Sequence, residues 1–152
     1  MADTPVEVWQ LVRDEQGNDY VLLRDKKGRL LSIAIGMCEA AAIMARLTPP
    51  ASQFILRRPL AHDVMQIILE KRHAGLEKVV IDNMLNGIYY ATIYVGKPGG
   101  EELIDARPSD AIAMVVRTGA PIFVDAEIMD EHGFIPGQQE DNYEQYFGEG
   151  FI

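Results

Sequence analysis

Apolar and polar positions alternate through three stretches near the start of the chain, Val6 to Arg13, Tyr20 to Asp25 and Leu30 to Ile35. Such alternation predicts strands, and the clusters Gln16-Gly17-Asn18 and Lys26-Lys27-Gly28 predict the turns between them. The period then lengthens. Ala40, Ile43, Met44 and Leu47 recur at helical spacing, which predicts a helix over Met37 to Leu47 that buries these four side chains and stops at Pro49-Pro50. A second helix is predicted over His62 to His73, with Val64, Ile67, Ile68 and Lys71 at helical spacing.

The pattern then runs again. Strands are predicted at Glu77 to Met84, Ile88 to Val95 and Glu102 to Asp105, followed by a helix at Pro108 to Thr118. Pro108 suits a first helical position, where its missing N–H has no partner to lose. Ile112, Val115 and Val116 mark that helix's buried face, and Gly119 is placed to end it. A short strand at Ile122 to Val124 and a helix near Ala126 to Glu131 complete the series.

Sliding the chain against itself by 71 positions aligns the two series without a gap. Val8 meets Val79, Lys26 meets Lys97, Gly28 meets Gly99, Ile33 meets Ile104, and Ala40, Ala42 and Arg46 meet Ala111, Ala113 and Arg117. These seven identities fall within the forty pairs from Val8 to Leu47, where chance would give two or three. The expected architecture is therefore α+β, an internal duplication of a β-β-β-α-α unit with helices packed on a mixed or antiparallel sheet. The expected halves are residues 6–74 and 77–133 of one domain spanning 1–133. An acidic tail carrying Tyr143, Tyr146, Phe147 and Phe151 follows over 134–152.

Composition narrows the function classes. A chain of 152 residues can bury a sizeable core. It has no apolar run of membrane-spanning length, and MADTPVEVW lacks the regions of a signal peptide. The single cysteine, Cys38, excludes an intramolecular disulfide and a cysteine-rich zinc site. The expectation is a cytoplasmic protein without a membrane partner. The net charge of −9 is uneven: residues 1–118 hold 15 acidic and 14 basic side chains, and beyond Arg117 eight acids meet no Lys or Arg. Tight nonspecific binding of nucleic acid needs many phosphate-neutralising cations, so any such binding is expected to be weak. A divalent cation would supply the missing positive charge.

Candidate chemistry concentrates where the two series differ. The stretch Asp105-Ala106-Arg107-Pro108-Ser109-Asp110 has Ala34-Ile35-Gly36-Met37-Cys38-Glu39 as its first-half counterpart, which keeps only the final acid. Asp105 at a strand end and Asp110 in the next helical turn are placed to hold Mg²⁺ or Mn²⁺ with open positions. The bland alternative is that Arg107 pairs with one of them and the acids cap the helix. Arg58-Pro59-Leu60-Ala61-His62-Asp63 is the second constellation. His62 suits proton transfer or metal ligation, although a His beside an Asp at a helix start is more often structural. Glu39 stands opposite Asp110 in the repeat. If the halves are related by an approximate two-fold, the two acids approach, as a shared carboxylate site or as two capped helices. Arg24, Lys26, Lys27 and Arg29 around a turn, and Arg57-Arg58, could contact phosphate or be solvated charge. No Walker-type loop, dinucleotide fingerprint or zinc-spaced histidine set occurs, so no organic cofactor is expected.

Four blocks carry a resemblance: DARPSDAIAMVVRTGAPIFVD (Asp105 to Asp125), RPLAHD (Arg58 to Asp63), IAIGMCEAAAI (Ile33 to Ile43) and NGIYYA (Asn86 to Ala91). Together they resemble the bifunctional nuclease family, small bacterial and plant domains for which DNase and RNase activity has been proposed. The likeness runs from about Val6 to Gly133. Similar members usually carry Thr or Ser where Ala61 stands, and the lost cap leaves part of that role to Asp63. The resemblance implies a duplicated unit and metal-assisted hydrolysis of nucleic-acid phosphodiesters. On that reading Asp63, Asp105 and Asp110 hold a metal or position water, His62 is the base and Arg107 clamps phosphate. The rival expectation is a non-catalytic oligomeric scaffold or small-anion binder. Sheet edges left free invite pairing between chains, so a homo-oligomer is expected in either case.

Overall fold

The computed structural model describes residues 2–47 and 58–137. Strands β1 (Thr4–Arg13), β2 (Asp19–Asp25) and β3 (Leu30–Ile35) lead into helices α1 (Met37–Leu47) and α2 (Ala61–Lys71). Strands β4 (Gly75–Leu85), β5 (Ile88–Lys97) and β6 (Gly100–Ala106) lead into α3 (Pro108–Thr118), β7 (Ile122–Val124) and α4 (Ala126–His132). This is a mixed α/β architecture. Among the described residues no helix is long and apolar enough to cross a membrane.

All seven strands form one sheet in the order β3-β2-β1-β7-β4-β5-β6. The order mirrors itself about β7, which pairs antiparallel with β1 and parallel with β4. Short hairpins explain the two outer triplets, since adjacent antiparallel strands need only tight turns. β7 can be three residues long because both of its neighbours satisfy its backbone. Inward-facing Val21, Leu23, Ile33, Val79, Ile81, Ala91 and Ile93 share one core with Ile43 of α1 and Ile112 of α3. A smaller cluster of Val12, Leu22 and Leu30 lies apart from it, packed by Tyr20 and Phe134. Phe134, at the start of the expected tail, exchanges both backbone hydrogen bonds with Leu30. The tail's remaining aromatics lie outside the described residues, as does the Pro49-Pro50 helix stop.

The two central helices have the predicted bounds. α3 buries Ile112 and Val115, with Val116 half-buried, and Gly119 ends it with φ +74°, a left-handed conformation that glycine adopts without steric cost. One expectation is corrected. Leu47 is exposed rather than buried, because α1 turns inward only Ala40 and Ile43 fully, with Met44 half-buried. The apolar stripe of α2 faces outward, Ile68 being 56% exposed and Val64 and Ile67 each 40%. Its buried residue is the acid Asp63, drawn inward by two arginines that the spacing of apolar residues could not reveal.

Candidate active site at the starts of three helices

Helices α1 and α3 pack side by side with like ends together: Glu39 of α1 meets Arg107 at the start of α3, and Arg117 near the end of α3 reaches Ala42 O of α1. α2 starts across this pair. Its first residues place two neighbouring side chains in two different settings.

His62, itself largely covered, bonds into the more open setting. Its Nε2 lies 3.0 Å from Asp110 Oδ1, while Arg107 Nε donates to Asp110 Oδ2 at 2.9 Å. Arg107 also donates through Nη1 to Glu39 Oε1 at 2.9 Å. The chain His62–Asp110–Arg107–Glu39 therefore links all three helix starts. The negative charges sit where the two helix dipoles favour them. Burial alone would raise the Asp110 carboxyl, but hydrogen bonds from Arg107 and His62 outweigh it and hold it below the ordinary carboxylate range. Its hydrogen bond to Asp110, followed by that to Glu39, keeps the Arg107 guanidinium firmly charged. When His62 Nε2 donates to Asp110, Nδ1 is left as the basic nitrogen. Arg107 is 65% exposed, and its two bonds leave Nη2 for another acceptor.

Asp63 faces the closed setting. Its Oδ1 accepts from Arg46 Nη2 and Arg117 Nε, both at 2.8 Å. The N-cap is Leu60 rather than the expected Ala61, which is the first helical residue, and Asp63 Oδ2 accepts the Leu60 backbone N–H at 2.8 Å, the returning half of a capping box. Arg117 is 1% exposed and further tied to Ala42 O and Ala113 O. Its fold back along α3 follows from side chains leaning toward a helix N-terminus. Burial acts to raise the Asp63 carboxyl, and the hydrogen bonds from Arg46, Leu60 and Arg117 together bring it below the ordinary range.

Asp105 lies elsewhere. It stands opposite Thr92 in the β5–β6 register, while its neighbour Ala106 stands opposite the fully buried Ala91. Side chains alternate between faces of a sheet, so Asp105 is exposed on the face away from the helices, near the Thr92–Asp82 hydrogen bond. The structure thus joins His62, Arg107 and Asp110, sets Asp63 in a separate clamp, and does not bring Asp105 to either. It does join Glu39 to Asp110, through Arg107. Among the described residues no three His, Cys, Asp or Glu side chains are grouped to hold a metal ion. With both acids at the open site engaged by one guanidinium, the donor set does not fit a resident divalent cation.

Of the basic residues at the β2–β3 turn, Arg24 pairs with Glu7 and Arg29 with Asp25 and Asp130. Sequence reasoning singled out neither Arg46 nor Arg117 as a pair with one partner. The signal was present, because they are identical residues matched when the chain is shifted by 71 positions. Tyr89, which lines a groove beside Arg107, was also passed over.

Comparisons with known proteins agree with one another. The sequence model of the bifunctional nuclease domain matches residues 21–136. An uncharacterized protein of Mycobacterium tuberculosis is 31% identical over 134 residues, covering 86% of this chain and 76% of that one. Bifunctional nuclease 1 of Oryza sativa subsp. japonica is 29% identical over 125 residues, covering 80% of this chain and 37% of the relative. Bifunctional nuclease 2 of Arabidopsis thaliana is 29% identical over 105 residues, covering 67% and 31%. The chain therefore spans about a third of the plant proteins it matches.

Proposed function

From a chain that belongs to the bifunctional nuclease domain family, we infer a nuclease that hydrolyses DNA or RNA phosphodiesters at the start of α3. The observation that carries this reading is the His62–Asp110 pair at 3.0 Å, with Arg107 on the second Asp110 oxygen. A carboxylate fixing one imidazole nitrogen orients the ring and leaves the other nitrogen to take a proton, a role that contributes ~10²–10⁴-fold to rate. In this scheme His62 Nδ1 takes the proton from the attacking hydroxyl or water as its oxygen bonds to phosphorus; the P–O ester bond on the far side breaks, the departing oxygen takes a proton from solvent, and Asp110 holds the ring and steadies the imidazolium. Arg107 meets the developing negative charge on phosphorus-bound oxygens. Glu39 and Asp110 outnumber the one guanidinium, so ground-state affinity for phosphate is low, in keeping with the acidic chain.

A divalent ion belongs to this proposal only as something a substrate brings with it, since the donor set does not fit a resident one. No step is routed through it. The expectation of an internal duplication is part of the same reading. The bounds of α1, moved by 71 positions, coincide with those of α3, and the like-placed Glu39 and Asp110 share one arginine.

The test is cleavage of DNA and RNA by purified protein with Mg²⁺, Mn²⁺ or EDTA, wild type beside Asp110→Asn. Loss of at least about 10²-fold in the variant, measured where the variant is still folded, is expected. Equal activity in both would remove the site assignment. The scaffold reading has one observation in its favour, that Arg107 ties α1 to α3. It predicts no cleavage by either protein.

A further inference from the structure

A groove of about 500 Å³ opens beside Arg107, between the β3 edge with the start of α1 and the β4–β5 hairpin with the start of α3. Tyr20, Ser32, Ile88, Tyr89, Arg107 and Ser109 are among its lining residues. One wall is apolar and aromatic: Ile88 is 58% exposed, and Tyr89 is half-buried with its ring edge-on to His132. The α3 end is polar. Ser109 is 7% exposed, and its hydroxyl has no hydrogen-bond partner among the described residues. Arg107 Nη2 is free of the two carboxylates beside it.

We propose that this groove seats one unpaired nucleotide of a single strand, its phosphate at Ser109 and Arg107 and its base against Tyr89 and Ile88. The proposal rests on the nuclease reading and adds a substrate class to it. The volume lies within the ordinary range for a small-molecule site, which suits one nucleotide. A base stacks on a side chain only when it is out of the duplex stack, and such stacking is tolerant of sequence. A duplex, by contrast, is held mainly through many phosphate contacts along its length. Among the described residues Arg107 is the sole cation lining the groove, and it is shared with Glu39. One phosphate can be met there, not a row of them. His62 and Asp110 do not line the groove, and Arg107, which belongs both to the groove and to the chain of bonds leading to His62, is the link between the seat and the proposed site.

The experiment is fluorescence anisotropy of the full chain with a labelled short oligonucleotide carrying phosphorothioate links, as a single strand and annealed to its complement. Adenosine 5′-monophosphate and inorganic phosphate serve as competitors. The single strand is expected to bind at least about tenfold more tightly than the duplex. Tyr89→Leu and Ile88→Ser should each weaken it several-fold without changing competition by phosphate, and Ser109→Ala should weaken both. Ile88 is exposed, so that variant keeps the proposal testable if loss of the Tyr89 ring disturbs folding. Equal affinity for duplex, or strand binding indifferent to Ile88→Ser, would overturn the proposal. Adenosine 5′-monophosphate binding as tightly as the strand would also overturn it, by making the groove a site for free nucleotides. Cleavage that persists unchanged in the groove variants defeats this proposal and leaves the nuclease reading standing. Strand binding in the groove without any cleavage does the reverse.

Discussion

His62 and Asp63 are neighbours in the chain, yet they meet opposite environments. His62, its own side chain only 12% exposed, reaches one carboxylate, Asp110, which is 35% exposed and held by the 65% exposed Arg107. Asp63 is 7% exposed and accepts from two arginines, one of them fully inside the protein. At the first position the groups can exchange protons and partners. At the second, each charge is fixed by another, and its removal strands a buried cation. On the proposed reading a helix start thus separates chemistry from stability within two residues, because successive side chains leave a helix about 100° apart.

The sharpest way to break this contrast is Asp63→Asn. Removing one partner of a buried ion pair costs about 3–5 kcal/mol, and Arg117 would keep no carboxylate of its own. Thermal or denaturant unfolding measures the loss. Its absence would mean that Arg117 finds another acceptor.

Acid should act next. Asp63 and Asp110 both have carboxyl groups held below their unfolded value of about 3.9. Their contribution to stability is therefore full above about pH 5 and is lost as pH falls through the lower folded-state values. Tm recorded from pH 7 down to 3 should drop on the acid side, and the drop should be shallower in Asp63→Asn. A drop of equal steepness in both proteins would move the acid sensitivity to other carboxylates.

The smallest effect is expected at Asp105. Its place on the far face of the sheet predicts that Asp105→Asn keeps cleavage within about twofold of wild type and stability within about 0.5 kcal/mol, as for most surface changes. A strong loss of cleavage would return Asp105 to the site and break the division between the two faces.

Much of the fold was legible because it rests on periodicity. The bounds of α1, α3, β3 and β7 follow from apolar spacing, a first-turn proline and a stop glycine. The outward stripe of α2 was not legible, since spacing shows which residues share a face but not which way that face turns. Its orientation is decided by Asp63, Arg46 and Arg117, three charges distant in sequence. The site was readable in part for the same reason. Arg107 and Asp110, three positions apart at one helix start, pair across the first turn. The 48-residue separation of His62 from Asp110 carries no local signal. Asp105 illustrates the opposite failure. It is five positions from Asp110, but the strand's two-fold alternation sends its side chain to the other face.

The central claim is that His62 performs chemistry while its neighbour performs structure, and His62→Gln tests it most directly. Cleavage rate and Tm would be measured on the same preparation, beside wild type. The account predicts a fall in rate of about 10²–10⁴-fold with Tm nearly unchanged. Full cleavage by His62→Gln would contradict it.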